Sequence, residues 1–147
     1  MKIIGLDKLI KDLRAFGVEG EKRIAETTEA TARDIELHAK QIAPFNKLQH
    51  GGTLRQNIKA IEQDKLNWKV FANAFGNAPY SAYMEFGTGG LVEVPAELKE
   101  MAIQFKGQGI KKVDLRPQPF LWPAFVKGRV DYIDELTRDL NDLTKKI

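Results

Sequence analysis

Glu85 is the side chain in this sequence whose setting most invites chemistry. Most of the acidic residues alternate with lysine and arginine along helical stretches, the pattern of solvated charge, whereas Glu85 stands between Met84 and Phe86. A carboxyl in apolar surroundings holds its proton more tightly and can serve as a general acid. Such a role needs a partner, and this carboxylate stands alone. Pairing with an arginine, or capping a turn, is the stronger reading. His38 raises a similar question, as metal ligand or general base. Only His50 could join it, and the chain has no cysteine, so a half-buried histidine satisfied by a neighbour is preferred. Gly87-Thr88-Gly89-Gly90 is the one glycine cluster suited to a phosphate. It lacks the Lys-Ser/Thr of a phosphate-binding loop, and the next helix starts only near Pro95, too late for a dinucleotide fingerprint. Ser81 is the only serine, and no nucleophile elbow surrounds it. Neither catalysis, a metal nor any cofactor is expected.

Charge offers a second line. The net charge of +3 is unevenly spread: residues 99–129 carry 7 basic and 2 acidic side chains, and residues 130–147 carry 3 and 5. Lys106, Lys111 and Lys112 lie in a basic loop that could face an acidic surface or nucleic acid. A solvated lysine-rich loop explains the same residues more simply. Phe105, Phe120, Trp122 and Phe125 are interleaved with these charges, but the prolines around them suit packing better than stacking on bases. No helix-turn-helix, zinc-finger or RNA-recognition motif fits. No run of 18 apolar residues is present, so no membrane span is expected. The N-terminus reaches Asp7 too early to hold a signal-peptide core. Absence of cysteine fits assembly in a reducing cytoplasm.

The elements that must position these residues can be read from periodicity. At 147 residues the chain is expected to be one domain, spanning 1–147, with roughly 70% of its unfolded surface buried. Leu6, Leu9, Ile10, Leu13 and Phe16 predict an amphipathic helix, which Gly17 and Gly20 should break or bend. From Glu21 to Ala43 a second helical face follows Ile24, Thr28, Thr31, Ile35, His38 and Ile42. Ala25, Ala32 and Ala39 lie beside it, a line of small residues that lets another element come close. Pro44 ends the helix. Thr53 and Gln56 have capping-box spacing for a short helix. A strand near Ile58 to Gln63, a turn at Asp64-Lys65-Leu66-Asn67 and a strand from Trp68 to Ala74 predict an antiparallel hairpin. Tyr80 to Met84 suits a short buried helix or turn. Pro95 to Phe105 reads as a helix of about ten residues, the basic loop follows, and Val113 to Leu115 suits a short strand. After Pro123 a last helix has an apolar line of Val126, Val130, Ile133, Leu136, Leu140, Leu143 and Ile147. It must cover that line with this domain or a neighbouring subunit. The class is α+β: long N- and C-terminal helices packed on a small antiparallel sheet, with an inserted short helix and basic loop.

The order of the short motifs is more specific than any one of them. Ala43-Pro44 ends the first helical third, and Gly52-Thr53-Leu54-Arg55 leads to Ile58. Tyr83-Met84-Glu85-Phe86-Gly87-Thr88 follows the hairpin, and Pro119-Phe120-Leu121-Trp122-Pro123-Ala124 opens the last helix. This series resembles the gene-product-ten-like family of tail-completion or neck proteins of long-tailed phages, from residue 6 to about 145. The family's Thr-Gly before Leu-Arg stands here as Gly52-Thr53, and residues 91–115 are an insertion. The resemblance implies a structural virion protein, not an enzyme, located at the head–tail junction and assembled in the bacterial host cytoplasm. It implies a sixfold ring that meets the head connector or head-completion protein on one side and the tail terminator or tail tube on the other, with non-specific contact to channel DNA open to the basic loop. A tail terminator or a head-completion protein of the same neck is the alternative within that class. A small nucleic-acid-binding module is the alternative outside it. Tyr83, Glu85, Phe86, Gly87, Thr88, Pro119, Phe120, Trp122 and Pro123 are then expected to define the fold or interfaces, and Lys106, Lys111 and Lys112 to face a partner or the channel.

Overall fold

The computed structural model describes residues 6–45, 52–72, 80–87, 96–98, 100 and 116–145. One continuous helix, α1 (Leu6–Ile42), forms the spine. The break expected at Gly17 and Gly20 does not occur. A glycine inside a helix costs only about 1 kcal/mol, and this stretch is bridged by i,i+4 ion pairs. Glu19 pairs with Arg23 at 3.3 Å and Lys22 with Glu26 at 3.8 Å. Leu143 of the last helix packs beside Gly20, 4.0 Å from where a Cβ would stand, an ordinary contact that a methyl group there would also make. Pro44 follows the helix end, where the Ala43 N–H closes the last turn on the Ala39 carbonyl at 2.9 Å.

A four-residue helix, α2 (Thr53–Gln56), leads into strand β1 (Ile58–Asp64), which pairs antiparallel with β2 (Asn67–Ala72). Here the capping-box expectation fails. Gly52, not Thr53, is the N-cap, at φ 145°, and no side chain caps the helix. A side chain is strained at that φ, so glycine takes the position and Thr53 becomes the first helical residue. The hairpin itself matches its sequence pattern to within two residues. Ile58 faces Ala72 and Ala60 faces Val70. Asp64 closes the turn through the Leu66 N–H at 3.0 Å and the Asn67 amide.

After α3 (Ser81–Phe86) and a single 3-10 turn at Ala96–Leu98, the chain ends in helix α4 (Leu121–Thr144). Of the helix expected from Pro95 to Phe105, only that turn and Glu100 lie within the described residues; Val113 to Leu115 lie outside them. The arrangement is α+β, with α1 holding the hairpin on one flank and antiparallel α4 on another. The hairpin docks where Glu36 accepts the Ala60 N–H at 2.7 Å and where Arg33 lies 5.1 Å above the Trp68 ring. The main core gathers Ile35, Ala39, Ala43, Leu54, Ile58, Phe120 and Ala124, at the C-terminal end of α1 and the N-terminal end of α4. Ala32 and Ala39 are buried, as the alanine line requires. Ile42 is 41% exposed, so the buried face of α1 is centred on the small residues rather than on the larger apolar line.

Candidate functional site

The motif residues converge on two helix ends. Glu85 is buried in the last turn of α3, and its carboxylate accepts three backbone N–H groups at the start of α4. Oε2 takes Phe120 and Leu121, both at 2.9 Å, and Oε1 takes Trp122 at 2.7 Å. The first four N–H groups of a helix have no intrahelical partner. Here three are held by one side chain, and the fourth position is Pro123, which has no N–H to satisfy. The negative charge also sits at the positive end of the helix dipole. Gln118 donates its N–H to the Met84 carbonyl at 2.8 Å, which pins the segment before α4 to α3. Glu85 therefore acts as a cap for a helix 35 residues downstream. Among the described residues the donors to its oxygens are these backbone N–H groups, and the carboxylate performs the capping role.

Arg55 does the converse at the other helix end. Its guanidinium donates to the Ala43 carbonyl at 2.8 and 3.1 Å and to Gln41 at 3.4 Å, and lies 4.9 Å over the Phe45 ring. A cation there satisfies the orphan carbonyls and meets the negative end of the α1 dipole. Gly87 ends α3 at φ 69° and ψ −178°, donating its N–H to the Tyr83 carbonyl at 2.8 Å. Only glycine takes that conformation without strain. Phe86 and Ala82 form a second small cluster with Leu98. Phe120 is the largest fully buried side chain among the described residues, while Tyr83, Trp122 and Pro123 are half-buried and Pro119 is exposed. Trp122 stacks on Phe125 with centroids 5.8 Å apart. Thr88, Lys106, Lys111, Lys112 and His50 lie outside the described residues.

Two further features complete the surface. His38 is half-buried, as expected, but the neighbour expected to satisfy it is missing: its buried Nδ1 has no hydrogen-bond partner. It lines a shallow cleft of about 200 Å³ with Asp34, Gln41, Lys127 and Asp131. No group of three metal-ligating side chains occurs among the described residues, so this cleft does not form a metal centre with them. Helix α4 is apolar on two faces. Ala124, Gly128 and Leu143 are buried, with Gly128 packed so tightly on Ile35 that a Cβ would collide with it. Val126, Val130, Ile133 and Leu140 form most of the apolar line read from the sequence, yet they are exposed, at 43–56%. At about 100° per residue their line lies more than 90° around the helix from the Gly128 face. That second face escaped the sequence reading as a separate feature. The signal was present, since Ala124 and Gly128 mark the close-packed row as the alanines do on α1.

This is a scaffold whose signature residues tie helix ends together. A family model described as "Bacteriophage HK97-gp10, putative tail-component" matches residues 7–87, more than half of the 147. The chain belongs to this family of phage tail components, and hence to the virion. No curated protein and no solved structure matches the chain. The matched span contains both capping side chains, Arg55 and Glu85, while the α4 start that Glu85 holds lies beyond it. No helix among the described residues is long and apolar enough to cross a membrane.

Proposed function

We propose that this tail component is a non-enzymatic tail-completion protein that closes into a ring, sixfold by family resemblance, at the head–tail junction. Its 147 residues act as one domain. One observation carries the reading: the exposed row Val126, Val130, Ile133 and Leu140 on a helix whose other face is already packed. Four large apolar side chains in one line on a helix surface form the contiguous patch that marks a protein interface. Subunits in a ring meet through two different surfaces, and the contact repeats until the rotation closes. Neighbours above and below the ring would be the head connector or head-completion protein and the tail terminator or tail tube. The basic stretch with Lys106, Lys111 and Lys112 would face a partner or the DNA in the channel.

Light scattering over a concentration series, with negative-stain images of the same sample, tests the ring. Closed particles of one size that persist after nuclease treatment are expected. A monomer both alone and mixed with connector and tail tube would sink the reading. Disrupting the gene in the phage separates the neck roles: filled heads beside complete, unjoined tails are expected. Tails of uncontrolled length would point instead to a terminator, and heads that lose DNA to a head-completion protein.

A further inference from the structure

The protein carries two exposed apolar surfaces, and the geometry points to one fitting the other: the N-terminal arm of α1 in one copy packs antiparallel on the exposed row of α4 in the next copy. This rests on the proposal that copies associate, and adds which surfaces meet. Because Gly20 packs beside Leu143 and α4 ends at Thr144, residues 6–19 of α1 extend past the end of α4. Fourteen helical residues span about 20 Å. Two of its apolar side chains are open, Ile10 at 41% and Leu13 at 52% exposure, while Phe16 is half-buried. At about 100° per residue, Leu13 is on the same face of α1 as Gly20, roughly 20° around the helix from it, and Ile10 stands at the edge of that face, roughly 80° away. The arm thus continues the face on which α1 already binds an α4 helix, beyond the point where its own α4 stops.

The row on α4 matches in size and character. From Val126 to Leu140 it runs about 21 Å, and its members recur every three to seven residues along one face. The direction follows from the pairing that α1 already makes: Gly20 beside Leu143 and Gly128 on Ile35 set its own α4 antiparallel on this face, and the arm prolongs that face. An arm in a copy's own plane cannot reach the far face of its own α4, since that face points away from α1. The contact is therefore between copies, and it is heterologous, arm to row, as ring closure needs.

The absence of cysteine makes disulfide trapping a clean test. Leu13→Cys is mixed with Ile133→Cys or with Leu140→Cys under mild oxidation, and each single variant is oxidised alone. Circular dichroism confirms folding, and light scattering reports assembly in every sample. A linked dimer in at least one mixture, and in no single-variant control, is the expected result. Particles that assemble yet give no link in either mixture overturn the arm-to-row contact and leave the ring reading standing. Links in Ile133→Cys alone overturn it in favour of a twofold row-to-row contact. Monomers throughout defeat both ideas, a result visible in the mass. Ile133→Asp should lower the assembled fraction at least tenfold without changing the helical content.

Discussion

The two ends of the α1–α4 pair are built differently. Where the C-terminal end of α1 meets the start of α4, Ile35, Ala39, Ile58, Phe120 and Ala124 form a dry cluster, and Glu85 and Arg55 close the helix ends around it. Toward the other end the same two helices are joined by a polar seam. Thr28 and Tyr132 share a hydrogen bond at 3.0 Å, Thr27 donates to Asp139 at 3.1 Å, and Arg23 pairs with Asp139 at 3.3 Å. Beyond the seam α1 continues past the end of α4. The motifs that mark the family fall at the dry end, whereas the exposed row of α4 runs from that end to the seam and the N-terminal arm of α1 lies beyond it. Apolar packing is concentrated at one end, and polar contacts join the other.

The largest effects are therefore expected at the dry end. Phe120→Ala empties the largest buried side chain in the cluster and should cost about 3–5 kcal/mol in urea unfolding. Glu85→Leu keeps the apolar setting but orphans three N–H groups, one of them on buried Phe120. About 3 kcal/mol is expected, and a loss under 1 kcal/mol would show that water can replace the cap. Gly128→Ala comes next. Its new methyl would collide with Ile35 Cγ1 and stand 2.7 Å from Cδ1, so α1 and α4 must part, at about 1–3 kcal/mol. At the seam, Asp139→Ala removes two partly exposed contacts and should cost only about 1 kcal/mol. A cost equal to that of Glu85→Leu would erase the contrast between the ends.

How much of this was legible in the sequence follows from how local each signal is. The hairpin could be read because Asp64 to Asn67 close their own turn between β-forming residues. The short α3 could be read from its composition. The continuity of α1 could not: the penalty at Gly17 and Gly20 is local, whereas what offsets it is ion pairing along the helix and the approach of Leu143 from 123 residues away. Glu85 was visible as an oddly placed carboxylate, but its target was not, since the three backbone donors converge and lack intrahelical partners only once α4 has formed. The missing fourth donor, at Pro123, was the available clue. On α4 both apolar rows have helical spacing, so periodicity alone cannot say which is buried. The small residues Ala124 and Gly128 decide it, because only they let α1 come close.

The smallest expected effect is one of pH, and it concerns the junction between α1 and the hairpin. Burial pushes the Glu36 carboxyl up, but hydrogen bonds from Lys40 and the Ala60 N–H, with the charges of Lys40 and Lys59, outweigh it. The group thus sits below its ordinary value of 4.5. A carboxyl whose folded value is lowered contributes in full above its unfolded value, and its contribution shrinks as pH falls through the folded one. Wild-type stability should accordingly drop below about pH 4.5. Glu36→Gln, which cannot titrate, should be weaker at pH 7 and lose less on going to pH 3. Some acid loss must survive in the variant, because Asp64 is also held low by Asn67 and the Leu66 N–H in the hairpin turn. Urea midpoints for both proteins at pH 7 and pH 3 measure the difference. Equal losses in the two would mean that Glu36 does not tie the hairpin to α1, leaving Asp64 and the other carboxylates to account for acid sensitivity.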